Sequence, residues 1–178
     1  VADDVIRGGV EVVKVDSETS DGRALGAATL EGAAFDVIYR GKEEVDVGNK
    51  TFGQNDVVLT IVATRNGNEV TARSNADALP FGKYEVRERA SGEGYTNGGY
   101  RQTFDVSSPG IRRLEKNAAN PVARGDLRFL KIDGATQRAL ANVPFLISAA
   151  SDADGDGKHE SHVLVSDENG IVTTRRRN

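Results

Sequence analysis

The sequence has no cysteine, so neither a disulfide framework nor a thiolate nucleophile is available to it. A chain of this kind working outside a cell needs another covalent staple, or none. Methionine and tryptophan are missing as well, and aromatic residues make up only 6% of the 178 positions, which argues against a broad aromatic surface for gripping a ligand. Both histidines fall in one short stretch, HESH at His159 to His162. No serine, histidine and acid arrangement can therefore be assembled, and no glycine-rich phosphate loop follows a strand. Turnover chemistry has little to work with. No run approaches the roughly 18 consecutive apolar residues of a membrane span, and the first residues lack the basic-then-apolar pattern of a secretion signal. If the protein is exported, the expectation is a mature or excised fragment. The net charge of −4 leaves no basic excess for nucleic acid.

What is present is glycine, 20 residues of it, and valine recurring in short alternating runs. VEVVKV (Val10 to Val15) reads as a strand with Val10, Val12 and Lys14 on one face and Glu11, Val13 and Val15 on the other. Further strands are expected at Ala34 to Tyr39, Val57 to Arg65, Glu69 to Arg73, Tyr84 to Arg89 and Tyr100 to Val106, divided by turn signals such as Asp21-Gly22, Asn66-Gly67 and Asn97-Gly98-Gly99. GNKTFGQND has room for one helical turn; no long amphipathic helix is legible. Many short strands at this spacing predict an all-β, immunoglobulin-like antiparallel β-sandwich.

The opening phrase is written twice. VIRGGVEVVKVDS begins at Val5, and VARGDLRFLKIDG begins at Val122. Lys14 aligns with Lys131, and Asp16 with Asp133 at the same offset. Downstream, LEGAAFDV matches LANVPFLI, with Phe35 on Phe145, and RNGNEVTAR matches ENGIVTTRR. The pattern predicts tandem modules, a complete one over 1–121 and the first part of another over 122–178.

Within the first copy, ALPFGKYEVRERASGEGY (Ala78 to Tyr95) resembles the LPPGxYxLxExxAPxGY signature of collagen-adhesin B-type (CnaB) domains, the prealbumin-like modules of Gram-positive surface adhesins and pilins. Leu79, Pro80, Gly82, Tyr84, Glu88, Gly94 and Tyr95 fall in place, while Ala90-Ser91 replaces the usual Ala-Pro. The second copy resembles VaFE-type surface repeats through RGDLRFLKID, NVPFLI and ESHVLVSDENG, without the half that carries the Glu and Asn strands. The resemblance implies a specific chemistry: a first-strand lysine condenses with a last-strand asparagine, releasing ammonia, while a buried acid assists. Residue by residue, Lys14 is the amine, Glu88 the acid and Asn120, before Pro121, the amide, with Asn117 in reserve. Lys131 repeats the lysine but has no acid or amide strand after it, so it is expected to be unbonded. The residue types suit the reaction, since burial disfavours the charged amine and favours a protonated carboxyl. Against this stands the ordinary reading of a strand lysine as a snorkelling side chain. Alternation also places Tyr84, Val86 and Glu88 inward, and Glu85 and Arg87 toward solvent.

Asp152, Asp154, Asp156 and Glu160 resemble the opening of a calcium loop, with oxygen ligands at alternate positions. The glutamate expected at the twelfth position is Val163, and the alternative is a plain acidic hairpin loop. HESH lacks the helical spacing of a zinc site. Arg124-Gly125-Asp126 spells an integrin-binding tripeptide, but the parallel Arg7-Gly8-Gly9 gives it a structural reason.

The resemblance therefore implies a self-modifying structural stalk module, not an enzyme, at the extracellular face of a Gram-positive cell wall. Its partners are neighbouring modules of the same surface protein or pilus, with no cofactor beyond the calcium candidate, no nucleic acid and no membrane insertion. The alternative is an adhesin module whose loops bind a host glycan or matrix protein.

Overall fold

Valines on one face of β1 (Arg7–Asp16) and aromatics on the facing strands decide where the chain folds over itself. The computed structural model describes residues 4–150, 152 and 156–175. The chain divides into two compact units, Val1–Val122 and Ala123–Asn178. Among the described residues both consist of strands and turns, without a helix.

In the first unit β1 is followed by β2 (Ala34–Tyr39), a small hairpin of β3 (Val45–Val47) and β4 (Lys50–Phe52), and the long β5 (Val57–Asn66). Next come β6 (Glu69–Arg73), β7 (Leu79–Pro80), β8 (Gly82–Ala90), β9 (Arg101–Val106), β10 (Ile111–Arg113) and β11 (Ala118–Asn120). The sheet order is β10-β1-β6-β5-β2-β8-β9, with β7 and β11 also pairing β1. β5 serves both layers, its first half pairing β2 and its second half β6. The sheet thereby curls into a sandwich, antiparallel except where β10 and β11 run parallel to β1.

Inward residues alternate as a half-buried strand requires. Val10 and Val12, Phe35 and Val37, Val70 and Ala72, Tyr84 and Val86, and Phe104 and Val106 form one core. Fully burying side chains of this size contributes about 1.5–3 kcal/mol each. Tyr84 anchors one end, packed between Tyr39 and Phe104 and donating its hydroxyl to the Pro80 carbonyl at 2.9 Å.

Two expectations are corrected. GNKTFGQND holds no helical turn: its first part is the turn and second strand of the β3–β4 hairpin, with Gly48 at φ 62°. Strands of three residues are too short for alternation to register. Glu85 does not face solvent, because Arg40 at 3.0 Å and Arg101 at 3.3 Å close over its carboxylate and leave the side chain 7% exposed. Arg87 is exposed, as alternation demands.

The second unit contains β12 (Arg128–Leu130) paired with β15 (Ile171–Thr173) and β13 (Pro144–Ser148) paired with β14 (Ser161–Val165). Phe129 and Phe145 meet edge to face at 4.9 Å. Among its described residues only Ser166, Gly170 and Val172 are buried, and Leu146, Val163 and Val165 are more than half exposed.

The repeated phrase ends in the same turn in both units. The Asp16 carboxylate accepts the Glu18 and Thr19 amides, and the Asp133 carboxylate those of Ala135 and Thr136. Ser20 donates to the Asp16 carbonyl at φ 60°, and Gln137 to the Asp133 carbonyl at φ 58°.

Candidate functional site

Lys14 lies on the face of β1 that carries Val10 and Val12, and Glu88 on the face of β8 that carries Tyr84 and Val86. Both are taken out of water, Lys14 at 0% exposure and Glu88 at 5%. Lysine and glutamate are almost never so placed without a partner. β11 supplies one. It runs parallel to β1 with Lys14 opposite Ala118 and Asp16 opposite Asn120, and its Ala118 and Asn120 are buried while Ala119 is exposed. Asn120 is therefore diagonal to Lys14 on the same face, a spacing of roughly 7–8 Å between backbones that a long side chain spans.

The amide is gripped at both ends. Asn120 Nδ2 donates to Glu88 Oε1 at 2.6 Å, and Asn120 Oδ1 accepts the Gly98 amide at 3.2 Å. Glu88 Oε2 is buried with no hydrogen-bond partner. Lys14 Nζ donates to the Ala118 carbonyl at 3.0 Å and the Val15 carbonyl at 3.1 Å, with the Tyr95 ring 5.7 Å away. Two donated N–H bonds are all that a neutral amine has, and they leave its lone pair uncommitted.

Burial lowers the Lys14 pKa to about 8, partly opposed by the negative charges of Glu88 and Asp16. Burial also raises the Glu88 carboxyl above its ordinary range, opposed by the Asn120 hydrogen bond and the Lys14 charge. Both shifts favour uncharged forms, an amine with a free lone pair beside a carboxylic acid. An amine and an acid in these forms have the chemistry to attack and protonate an amide.

Two further residues complete the site. Asp16 is wholly buried, and its Oδ2 accepts the Tyr95 hydroxyl at 2.7 Å. Burial, then this bond, push the Tyr95 phenol up, so it stays a donor. The same hydroxyl accepts the Leu25 amide at 3.3 Å. Asp16 was findable, since alternation puts it on the face of Lys14. Tyr95 reaches the site because Gly94 turns the chain at φ 79°, where a Cβ would stand 2.7 Å from Ala28 Cβ.

Asn117 is exposed, in the polar stretch between β10 and β11. That stretch bulges outward: Leu114 is buried while Glu115, Lys116 and Asn117 are in solvent, so the last strand is split in two. Lys131 is half-buried, and its backbone pairs with Gly170 and Leu140. In the β13–β14 loop, ligand oxygens of Asp152, Asp156 and Glu160 lie within 4.8 Å of one another; Asp154 falls outside the described residues. Asp152 Oδ2 accepts the Gly157 amide, and Asp156 takes the Lys158 amide and ammonium, bonds that an acidic hairpin loop makes for itself. Arg124, Gly125 and Asp126 are exposed, and Asp126 accepts the Thr174 hydroxyl at 3.3 Å.

Comparison with known proteins follows the same outline. The family described as SpaA, a prealbumin-like fold domain, matches residues 8–119. No curated protein matches the sequence. Among solved structures the chain is similar to the Bacillus anthracis TIE protein, at 20% identity and a TM-score of 0.59 over 94% of this chain and 26% of that one. It also aligns with a streptococcal ancillary pilin (19% identity, TM-score 0.46, 97% of this chain and 51% of that one) and with the minor pilin of the Gram-positive pathogen Streptococcus agalactiae (15%, 0.41, 68% and 47%). The chain spans about half or less of the length of each.

Proposed function

The chain belongs to the SpaA prealbumin-like fold family, and from that premise we propose that its first unit is a structural stalk module of a Gram-positive surface pilin or adhesin, tied by an amide crosslink between Lys14 and Asn120. In this reading it is a CnaB-type module, and the second unit belongs to a VaFE-type repeat. The protein acts at the cell surface, with neighbouring modules or pilus subunits as its partners. It is not a turnover enzyme: its only reaction is with itself, once.

One observation carries the reading. A lysine, a glutamate and an asparagine from the first, a middle and the last strand are buried together, with the amide nitrogen 2.6 Å from the acid. The Glu88 oxygen left without a partner is where an acidic proton belongs. A buried atom without a partner, as Glu88 Oε2 is here, costs about 1–3 kcal/mol, a cost that a purely structural trio would have no reason to carry. Condensation removes the amine and the polar amide nitrogen together.

Intact-mass measurement in denaturant tests it. The chain is expected to lack one ammonia, and Lys14→Met and Asn120→Ala to have their full masses. A wild-type chain of unmodified mass overturns the reading.

A further inference from the structure

The loop between β8 and β9 is held against the end of β11 by more than chain connectivity. Thr96 donates its amide and its hydroxyl to the Pro121 carbonyl, at 3.0 and 3.3 Å, and Tyr95 bridges Val122. Asn97 Oδ1 accepts the Gly99 amide at 2.7 Å while its Nδ2 reaches the Glu88 carbonyl at 3.4 Å. The loop between these ties aims one group at the buried amide: the Gly98 N–H, 3.2 Å from Asn120 Oδ1.

A side chain at position 98 must push the backbone off the amide. A Cβ there would collide with the Ala119 carbonyl oxygen and stand 2.9 Å from Asn120 Oδ1 itself. Its φ is not left-handed, unlike that of Gly99 at 71°, where a Cβ would meet nothing. Close approach to the amide, and not backbone conformation, is what requires glycine at 98.

We propose that the Gly98 N–H is an oxyanion donor for the crosslinking reaction, a catalytic group contributed by backbone. The inference rests on the Lys14–Asn120 reading above. In the reaction the Lys14 Nζ lone pair attacks Asn120 Cγ and the carbonyl π electrons move onto Oδ1, where Gly98 meets the developing charge. The Glu88 proton passes to Nδ2. The C=O bond re-forms, the Cγ–Nδ2 bond breaks, ammonia leaves, and the surplus proton on Nζ returns to Glu88. Nothing is oxidised or reduced, and the acid is regenerated. A donor 3.2 Å from the ground-state oxygen tightens as that oxygen gains charge, and the surrounding low dielectric magnifies its effect. The Gly98 N–H donates to Asn120 Oδ1, while Glu88 Oε1 accepts from Asn120 Nδ2. Division of labour follows: Glu88 works on the leaving nitrogen and Gly98 on the oxygen.

The test follows crosslinking directly. Full-length chain is recovered unreacted in denaturant and refolded by dilution. Ammonia loss is timed by quenched intact mass, and folding is followed separately by far-UV circular dichroism. An amide-to-ester replacement at Gly98 deletes the N–H without adding an atom that could clash. It is expected to fold and to crosslink about 100- to 1,000-fold more slowly, the range for loss of one oxyanion donor. Gly98→Ala keeps the N–H but displaces it, and is expected to slow crosslinking in a chain with a native spectrum; it decides the matter if the ester chain does not fold. Crosslinking at the wild-type rate in a folded ester chain, or in Gly98→Ala where only that variant folds, overturns this assignment and leaves the crosslink reading intact. A wild-type chain that folds and never loses ammonia overturns both.

Discussion

Replacing Lys14 by methionine separates the covalent contribution of the proposed crosslink from the packing contribution of the side chain. Methionine is unbranched and adaptable, so it follows the lysine stem among Val10, Val12 and the Tyr95 ring without a buried amine to satisfy. It leaves two strand carbonyls, of Val15 and Ala118, without the amine's N–H groups, a loss of about 0.5–1.5 kcal/mol each. The crosslink is larger. It closes a loop of roughly 100 residues, for which chain entropy gives about 4.7 kcal/mol of stabilisation at 25 °C. At about 4 °C per kcal/mol for a unit of the size of Val1–Val122, the melting temperature of Lys14→Met is expected to fall by about 20 °C in scanning calorimetry, with the mass deficit lost. Asn120→Ala in the same background is expected to cost far less than it does alone, because the bond it would break is already gone. A wild-type mass deficit combined with a Lys14→Met melting temperature only a few degrees lower would refute the argument from loop entropy. Full additivity of the two substitutions would refute the pairing itself.

Other consequences are open to the same methods. Glu88→Gln is expected to fold but to retain its ammonia, since an amide of the same shape cannot protonate the leaving nitrogen; a full mass deficit in this variant would dismiss Glu88 as the acid. The same variant has a pH signature. Its uncrosslinked Lys14 has a folded pKa of about 8 or below, against 10.5 unfolded, so the folded state holds fewer protons between those values. Its stability is therefore expected to rise as pH increases from about 8 to 10, with the penalty fully present below that window; urea titrations showing a flat or falling trend would contradict this. Tyr95→Phe strips the buried Asp16 Oδ2 of its phenolic donor and is expected to cost about 1–3 kcal/mol. An unchanged denaturation midpoint would show that Asp16 is satisfied by its turn amides alone.

Strand positions were legible where alternation ran for five residues or more. The expected bounds of β2 and β6 coincide with those found; β6 alternates apolar and polar residues throughout, while β2 ends in the buried apolar run Val37-Ile38-Tyr39 across a register shift. The inward faces of Lys14 and Glu88 follow from the same rule. Choosing between Asn117 and Asn120 was beyond it, since the split between β10 and β11 depends on Leu114 burying itself and expelling the three polar residues after it. Glu85 shows the opposite limit: alternation names a face, but not the arginines from β9 and the Arg40 turn that roof it. Asp16, Tyr95 and Gly98 meet the site through contacts between residues far apart in sequence, and no local pattern carries those.

The parallel pairing of β1 with β11 also determines how tension passes through the first unit. A chain that enters at the start of β1 and leaves at the end of β11 is pulled from opposite ends of two strands running the same way, so the hydrogen bonds between them are loaded in shear, all at once, instead of being peeled singly. In the proposed crosslinked form the load passes from Arg7 along most of β1 to Lys14, across one amide and out at Pro121. Everything from Val15 to Ala119, the whole aromatic core included, lies off that line. The unit then behaves as an inextensible link whose folded bulk is carried but never stretched.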